Sequence, residues 1–343
     1  MLNLQTLNRT LLLSSKNNNS LGLDHGKMRL SLYFFYIGRK SDNKEYLLAA
    51  EKLLDDIFEN IKTLKKIDIK DGLSGIGLGV HYLIKNKYVE GNINHVLEDI
   101  DNEIIKQLSY PRYYTQLTSS SLIPILYYLC LRLEDQKVSS ENNYIYQEII
   151  IQTVNYIYQQ INSDFFNESL SYNIEECRLP LFLAVLSKLH KLQFYNNRVT
   201  KILEELSYHA LSTIPILNAN KLLLLWAINL VNKEIELENW ARHITLLKNS
   251  LNIFSIFNDE LRDKNIFFQD GISSIYLIIK DLKELFTDQE LNTISDLTFS
   301  KIESSGIWNL LQAPQYLSKY GNLPNIFCII PTLYFSDNKE CQL

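Results

Sequence analysis

Four residues suggest chemistry first: Asp24, His25, Asp71 and Asp270. Each stands one or two positions ahead of a glycine (Gly26, Gly72 or Gly271) that opens an apolar run. Carboxylates gathered with an imidazole can move protons or hold a metal, so these four are the candidate catalytic residues. Glu175, Glu176 and Cys177 precede another apolar run, but neighbouring acids raise a thiol's pKa instead of activating it. Each group also has a structural reading. An Asp ahead of a helix commonly caps it, accepting free backbone N–H groups. His25 beside Gly26 fits a loop, and His81 fits a satisfied core histidine. Cys130, within Leu126–Leu131, fits a buried core thiol. The other histidines (His95, His190, His209 and His243) show no paired spacing. Cys130, Cys177, Cys328 and Cys341 lie far apart, which excludes a CxxC zinc knuckle and speaks against a disulfide framework. No phosphate loop, dinucleotide fingerprint, His-Glu-x-x-His or Gly-x-Ser-x-Gly is present.

The elements that must position these groups are helical. The chain has 343 residues, 46% hydrophobic and 21% charged, which excludes a disordered or collagenous protein. Only 11 residues are glycine, and none occurs from 92 to 270. Tight turns with positive φ are therefore scarce there, which speaks against β-hairpins. From Glu45 to Lys62 the residues Tyr46, Ala50, Leu53, Leu54, Ile57, Phe58 and Ile61 recur at three- and four-residue intervals, an amphipathic helix with one buried stripe. From His95 to Leu108, Val96, Leu97, Ile100, Ile104 and Leu108 repeat that pattern. Between such segments lie others that are apolar on nearly every side: 75–84, 122–133, 179–189, 222–231 and 272–279. A helix apolar all round is buried all round.

The buried segments start near Gly26, Asp71, Leu117, Glu175, Pro215, Asp270 and Gly306, roughly 45 to 50 residues apart. Asp71-Gly72-Leu73-Ser74-Gly75-Ile76 matches Asp270-Gly271-Ile272-Ser273-Ser274-Ile275, and Asp24-His25-Gly26 is a looser copy. A period of this size marks a repeat architecture. The expected fold is all-α: an α/α toroid of about seven helical hairpins, with a buried inner ring and an amphipathic outer ring. It forms a single domain over 1–343, with an N-terminal segment at 1–20 and repeats over 21–335. Gly75 and Gly79, four apart, would let inner helices approach closely.

Asp71-Gly72-Leu73-Ser74-Gly75-Ile76-Gly77 resembles the repeated Gly-Leu-Ser/Ala-Gly-Ile-Gly motif of the lanthionine synthetase C-like (LanC-like) family. His25-Gly26-Lys27-Met28 with Leu30–Phe35 looks like that family's first inner helix, and 91–104 is similar to it too. The strong match spans roughly 22 to 105. The resemblance implies the toroid and a place in bacterial peptide modification, where family cyclases add a cysteine thiol to a dehydrated Ser or Thr. It also implies one zinc, held by two cysteines and a histidine, the last two as Cys-His-Gly at an inner-helix start. Here that start reads Gln269-Asp270-Gly271, the region one repeat earlier (215–220) has no cysteine, and none occurs between Cys177 and Cys328. No zinc and no other cofactor is therefore expected, because amides and a carboxylate replace the soft ligands.

Three functions are consistent with these residues. The chain is a zinc-less, degenerate LanC-like member that binds a precursor peptide or a modifying enzyme. Alternatively it is an active peptide-modifying enzyme with a carboxylate site, or an α/α-barrel carbohydrate-active enzyme, which would need two carboxylates across a cleft. A net charge of -5 argues against a nucleic-acid partner. The apolar runs are too short for a membrane span, and the N-terminus does not read as a signal peptide, so a cytoplasmic location is expected. Aromatic groups near helix starts, Tyr110–Tyr114 and Gly306-Ile307-Trp308, could line a groove.

Overall fold

The computed structural model describes residues 4–15, 18–24, 26–114, 116–235 and 238–312. Among these there are helices and no strands. The longer helices are α1 (Leu4–Ser15), α2 (Lys27–Lys40), α3 (Lys44–Asn60), α4 (Leu73–Lys85), α5 (Glu98–Leu108), α6 (Ser119–Glu134) and α7 (Glu141–Gln159). They continue with α8 (Arg178–Lys191), α9 (Asn196–Ser212), α10 (Asn218–Glu234), α11 (Glu238–Ser250), α12 (Ile272–Asp281) and α13 (Asp288–Ser304). A 3-10 helix, Gly306–Gln312, follows.

Two kinds of helix alternate, as the hydrophobic pattern requires. In α10, Leu222, Leu223, Leu224, Leu225, Ala227, Ile228 and Val231 are all buried, leaving almost no solvent face. In α3 only Ala50, Leu53 and Ile57 are buried, one stripe at helical spacing. Six of the seven expected starts of buried segments coincide with the starts of α2, α4, α6, α8, α10 and α12, and the seventh, near Gly306, opens the 3-10 helix, in which Ile307 and Trp308 are buried. The expected helix from His95 breaks at Leu97, because the Asn92 side chain caps a separate first turn by accepting from the Asn94 and His95 amides.

Contacts divide the chain into two compact units. One is built from residues up to Pro111 together with those from Glu303 on, the other from Arg112–Ile302. In the first, α2 packs on α3 and α4, and α4 on α5. In the second, the core helices α6, α8, α10 and α12 pack in sequence, and α7, α9 and α11 cover them. Cys130 is buried on α6, and burial pushes its thiol up to about 12, as suits a core residue. His81 is buried on α4. Tyr114 is also core: its hydroxyl lies 3.1 Å from Thr153 Oγ1 and its ring 4.7 Å from that of Tyr156.

The starts of α2, α4 and α12 share one loop geometry. The Lys27, Leu73 and Ile272 amides, each the first after the glycine, donate to a carbonyl seven residues earlier: Ser20 at 2.9 Å, Lys66 at 2.9 Å and Asn265 at 3.0 Å. The loop thus folds back over the glycine before each helix. A side chain on Gly72 would meet the Asp68 main chain at 2.4 Å, and one on Gly271 the Asn265 carbonyl at 2.5 Å. Glycine is needed for close approach here, since φ is an ordinary -107° at Gly72 and -145° at Gly271. The same geometry corrects the capping expectation for the aspartates. Gly26, Gly72 and Gly271 are the N-caps, and none of these starts has a side-chain cap, because main-chain carbonyls already serve the first amides. Gly79 places α4 against the Met28 side chain of α2, the expected use of a small residue.

Candidate functional site

A dense polar arrangement lies in the second unit, at the starts of α8, α10 and α12. It is organised by the segment before α8, which runs from a 3-10 turn at Ser163–Phe165 to another at Ile174–Glu176. Glu168 accepts from the Ile216 amide (2.8 Å), the Leu217 amide (3.0 Å) and Asn220 Nδ2 (3.0 Å). Glu260, at the end of a π-turn over Ile256–Glu260, accepts from the Asn218 amide (2.7 Å), Asn218 Nδ2 (2.8 Å) and the Ala219 amide (2.9 Å). Two carboxylates thus satisfy four successive amides at the start of α10, where the helix dipole favours negative charge.

The same segment reaches the start of α12. The Ile174 amide donates to the Gln269 carbonyl at 2.8 Å, and Gln269 Nε2 donates to Glu175 Oε1 at 2.8 Å. The Tyr172 hydroxyl lies 2.9 Å from Ser274 Oγ, and burial raises the phenol's pKa. Cys177 Sγ donates to the Asn173 carbonyl (3.3 Å) and to Asn220 Oδ1 (3.7 Å). Burial, then Glu176 and Glu168, push this thiol up to about 12. At neutral pH it is a protonated donor and not a nucleophile, in line with the sequence reading.

The sequence-derived residues are divided between the two units. Asp24 and Asp71 belong to the first unit, where their loops touch: the Asp24 amide donates to the Lys70 carbonyl at 2.8 Å. The Asp24 carboxylate is buried and held by Arg29 Nη2 at 2.6 Å. Asp71 is half-exposed and lines a polar hollow with Lys27, Asp56 and Lys66; Lys27 and Asp56 are ion-paired. Asp270 belongs to the second unit, half-buried, and burial raises its carboxyl pKa. His25 lies outside the described residues. Glu168, Glu260, Asn220 and Tyr172 carry much of the network and escaped the sequence reading. Glu168 is 48 to 52 residues from its partners, so no local spacing marks it.

Zinc, which the LanC-like resemblance implies, can be tested against this donor set. The side chains at the two relevant starts are Asn218, Asn220, Gln269 and Asp270. Three are amides already engaged with Glu260, Glu168 and Glu175. Zinc takes tetrahedral thiolate, imidazole or carboxylate ligands, and amides are poor substitutes. Among the described residues no three His, Cys, Asp or Glu side chains converge in a group that could hold a metal ion. The residues present do not fit zinc.

Neither a protein-family model nor a curated protein sequence matches the chain. Among solved structures it is similar to nisin cyclase, with a TM-score of 0.59 and 14% identity over 90% of this chain and 93% of that one. The likeness shows the fold. The chain has the LanC-like, all-α fold, the α/α toroid class expected from its repeats. Among the described residues no helix is long and apolar enough to cross a membrane.

Proposed function

We propose that this is a LanC-like protein of lanthipeptide-type peptide modification that has given up the zinc chemistry and binds a precursor peptide or a partner enzyme in the cytoplasm. One observation carries the reading. The two helix starts where the resemblance places zinc ligands carry amides and Asp270, and the Glu168, Glu175 and Glu260 carboxylates hold those amides in place. The scaffold is kept while the ligand positions are occupied by a structural network. The test uses the purified full chain, incubated with zinc and with a dehydrated, cysteine-containing peptide. Saturable peptide binding is expected, with no stoichiometric zinc by mass spectrometry and no loss of free thiol from the peptide. One zinc per chain together with thioether formation would overturn the reading.

A second reading, an active peptide-modifying enzyme with a carboxylate site, is favoured by the raised carboxyl pKa of Asp270, since perturbed groups concentrate at working sites. Conversion of the peptide by the wild type, lost in Asp270→Asn with the fold retained, would establish it.

A further inference from the structure

A shallow cleft of about 50 Å³ opens between the starts of α8 and α10, within the second unit. Its walls are largely apolar: Phe165, Phe166, Leu179, Pro180, Pro215 and Leu224. That space is far smaller than a small-molecule pocket and takes the tip of one apolar side chain, the rest of which would lie on the surface around the cleft.

The surface beside the cleft is unusual in a second way. Leu170 follows directly on its Glu168–Ser169 wall and is 99% exposed. Ile214 and Ile216 flank the lining residue Pro215 and are 50% and 86% exposed. Tyr208, 77% exposed, neighbours His209, whose ring stacks on Phe166 at 4.0 Å. Exposed apolar side chains scattered singly mean little, whereas a cluster beside a cleft marks a surface that is covered in use.

Charge narrows what covers it. The cleft is also lined by one acid and one base. The acid, Glu168, is already bound by three N–H donors at the start of α10. The base, Arg178, is half-buried and has no hydrogen bond or ion pair among the described residues. A guanidinium in that setting offers a planar fork of donors to a carboxylate. Its position against apolar walls puts that carboxylate next to a bulky hydrophobic group.

We infer that this cleft and its apolar collar bind a polypeptide segment carrying a large aromatic or aliphatic side chain beside an acidic one, with the tip of the apolar side chain in the cleft and the carboxylate on Arg178. The inference rests on the peptide-binding reading above and names the surface that would serve it. The site lies beside the network that closes the starts of α10 and α12 and shares Glu168, Cys177 and Asn220 with it.

Fluorescence polarisation on the full chain tests it, with labelled hexapeptides Gly-Ser-Trp-Asp-Ser-Gly and Gly-Ser-Trp-Asn-Ser-Gly. The Trp-Asp peptide is expected to bind saturably and about tenfold more tightly than Trp-Asn, the effect of one charge-assisted contact. Arg178→Gln should abolish that ratio and leave Trp-Asn binding unchanged, and Arg178→Lys should restore part of it. Leu170→Ser combined with Ile216→Ser should weaken both peptides, with circular dichroism confirming the fold. An unchanged ratio in Arg178→Gln overturns the inference. So does a collar double variant that only turns a dimer into a monomer in light scattering, which would make a second copy the occupant. Loss of binding to phosphatidylglycerol vesicles with peptide binding unchanged would make it a lipid surface. Peptide binding that ignores all these substitutions sinks this surface and leaves the peptide-binding reading standing. A wild type that binds neither these peptides nor the dehydrated peptide sinks both.

Discussion

The starts of α4 and α12 differ from that of α10 in what closes them. Before α4 and α12 the loop folds back on a glycine, and main-chain carbonyls take the first amides. Before α10 there is no glycine. Glu168 and Glu260, contributed by segments more than 40 residues away on either side, reach in and take the amides of residues 216 to 219. A backbone-closed start finds the acceptor for its first amide within its own repeat. A carboxylate-closed start draws in its neighbours and uses up the polar groups at the point where the LanC-like resemblance would place a zinc ligand. Within the glycine-free stretch from 92 to 270, side chains close three of the starts: Thr118 caps α6, Ser140 caps α7, and the two glutamates close α10.

The sharpest way to break this comparison is to put a side chain where the backbone closes the loop. In Gly72→Ala the new methyl meets the Asp68 main chain, which cannot swing aside as a side chain can. Overpacking of that kind should cost roughly 3 kcal/mol, measured by urea unfolding. Gly79→Ala is the control: the atoms nearest its methyl belong to the flexible Met28 side chain, and the cost should be nearer 1 kcal/mol. Equal costs at the two sites would mean that the loop does not close as described.

Glu260→Gln probes the other kind of start. The amide keeps the shape and one acceptor oxygen, and loses the charge that faces the α10 dipole and one acceptor of the pair. A loss of about 1 to 2 kcal/mol is expected, smaller than for Gly72→Ala and reduced by salt. A loss that ignores ionic strength would assign the effect to packing, and the start of α10 would then not be closed by charge.

How much of this was legible in the sequence depended on distance along the chain. The starts of α2, α4 and α12 could be read because their determinants sit within about seven residues, in the Asp-Gly-Leu-Ser type of motif. The alternation of buried and half-buried helices could be read because periodicity is a local property. Asp71 and Asp270 were correctly placed at helix starts but wrongly given the capping role, since a loop carbonyl seven residues back competes for the same amides and leaves no trace in residue type. Glu168, Glu260 and Tyr172 could not be found at all. Their partners are 41 to 102 residues away, and nothing local distinguishes them from any other surface acid or core tyrosine.

The smallest effect separates Asp270 as a charge from Asp270 as a loop residue. Burial raises its carboxyl pKa above the ordinary 3.8, so the ionised form is disfavoured in the folded protein. A raised carboxyl favours the fold below the unfolded-state pKa, and that contribution is lost as pH rises through the folded-state value. At neutral pH the charge is therefore a penalty, which Asp270→Asn removes. The variant should unfold at a slightly higher temperature than wild type at pH 7, by an amount limited by the group's partial exposure to water. The gap should narrow as pH falls toward the carboxylate range and vanish below it, where both side chains are neutral. The Asn265 bond to the Asp270 carbonyl uses the main chain and survives the substitution, so the gap reports the carboxylate alone. A gap of the same size at pH 7 and pH 4 would show that the substitution acts through the loop, leaving the start of α12 closed by backbone in the same way as that of α4.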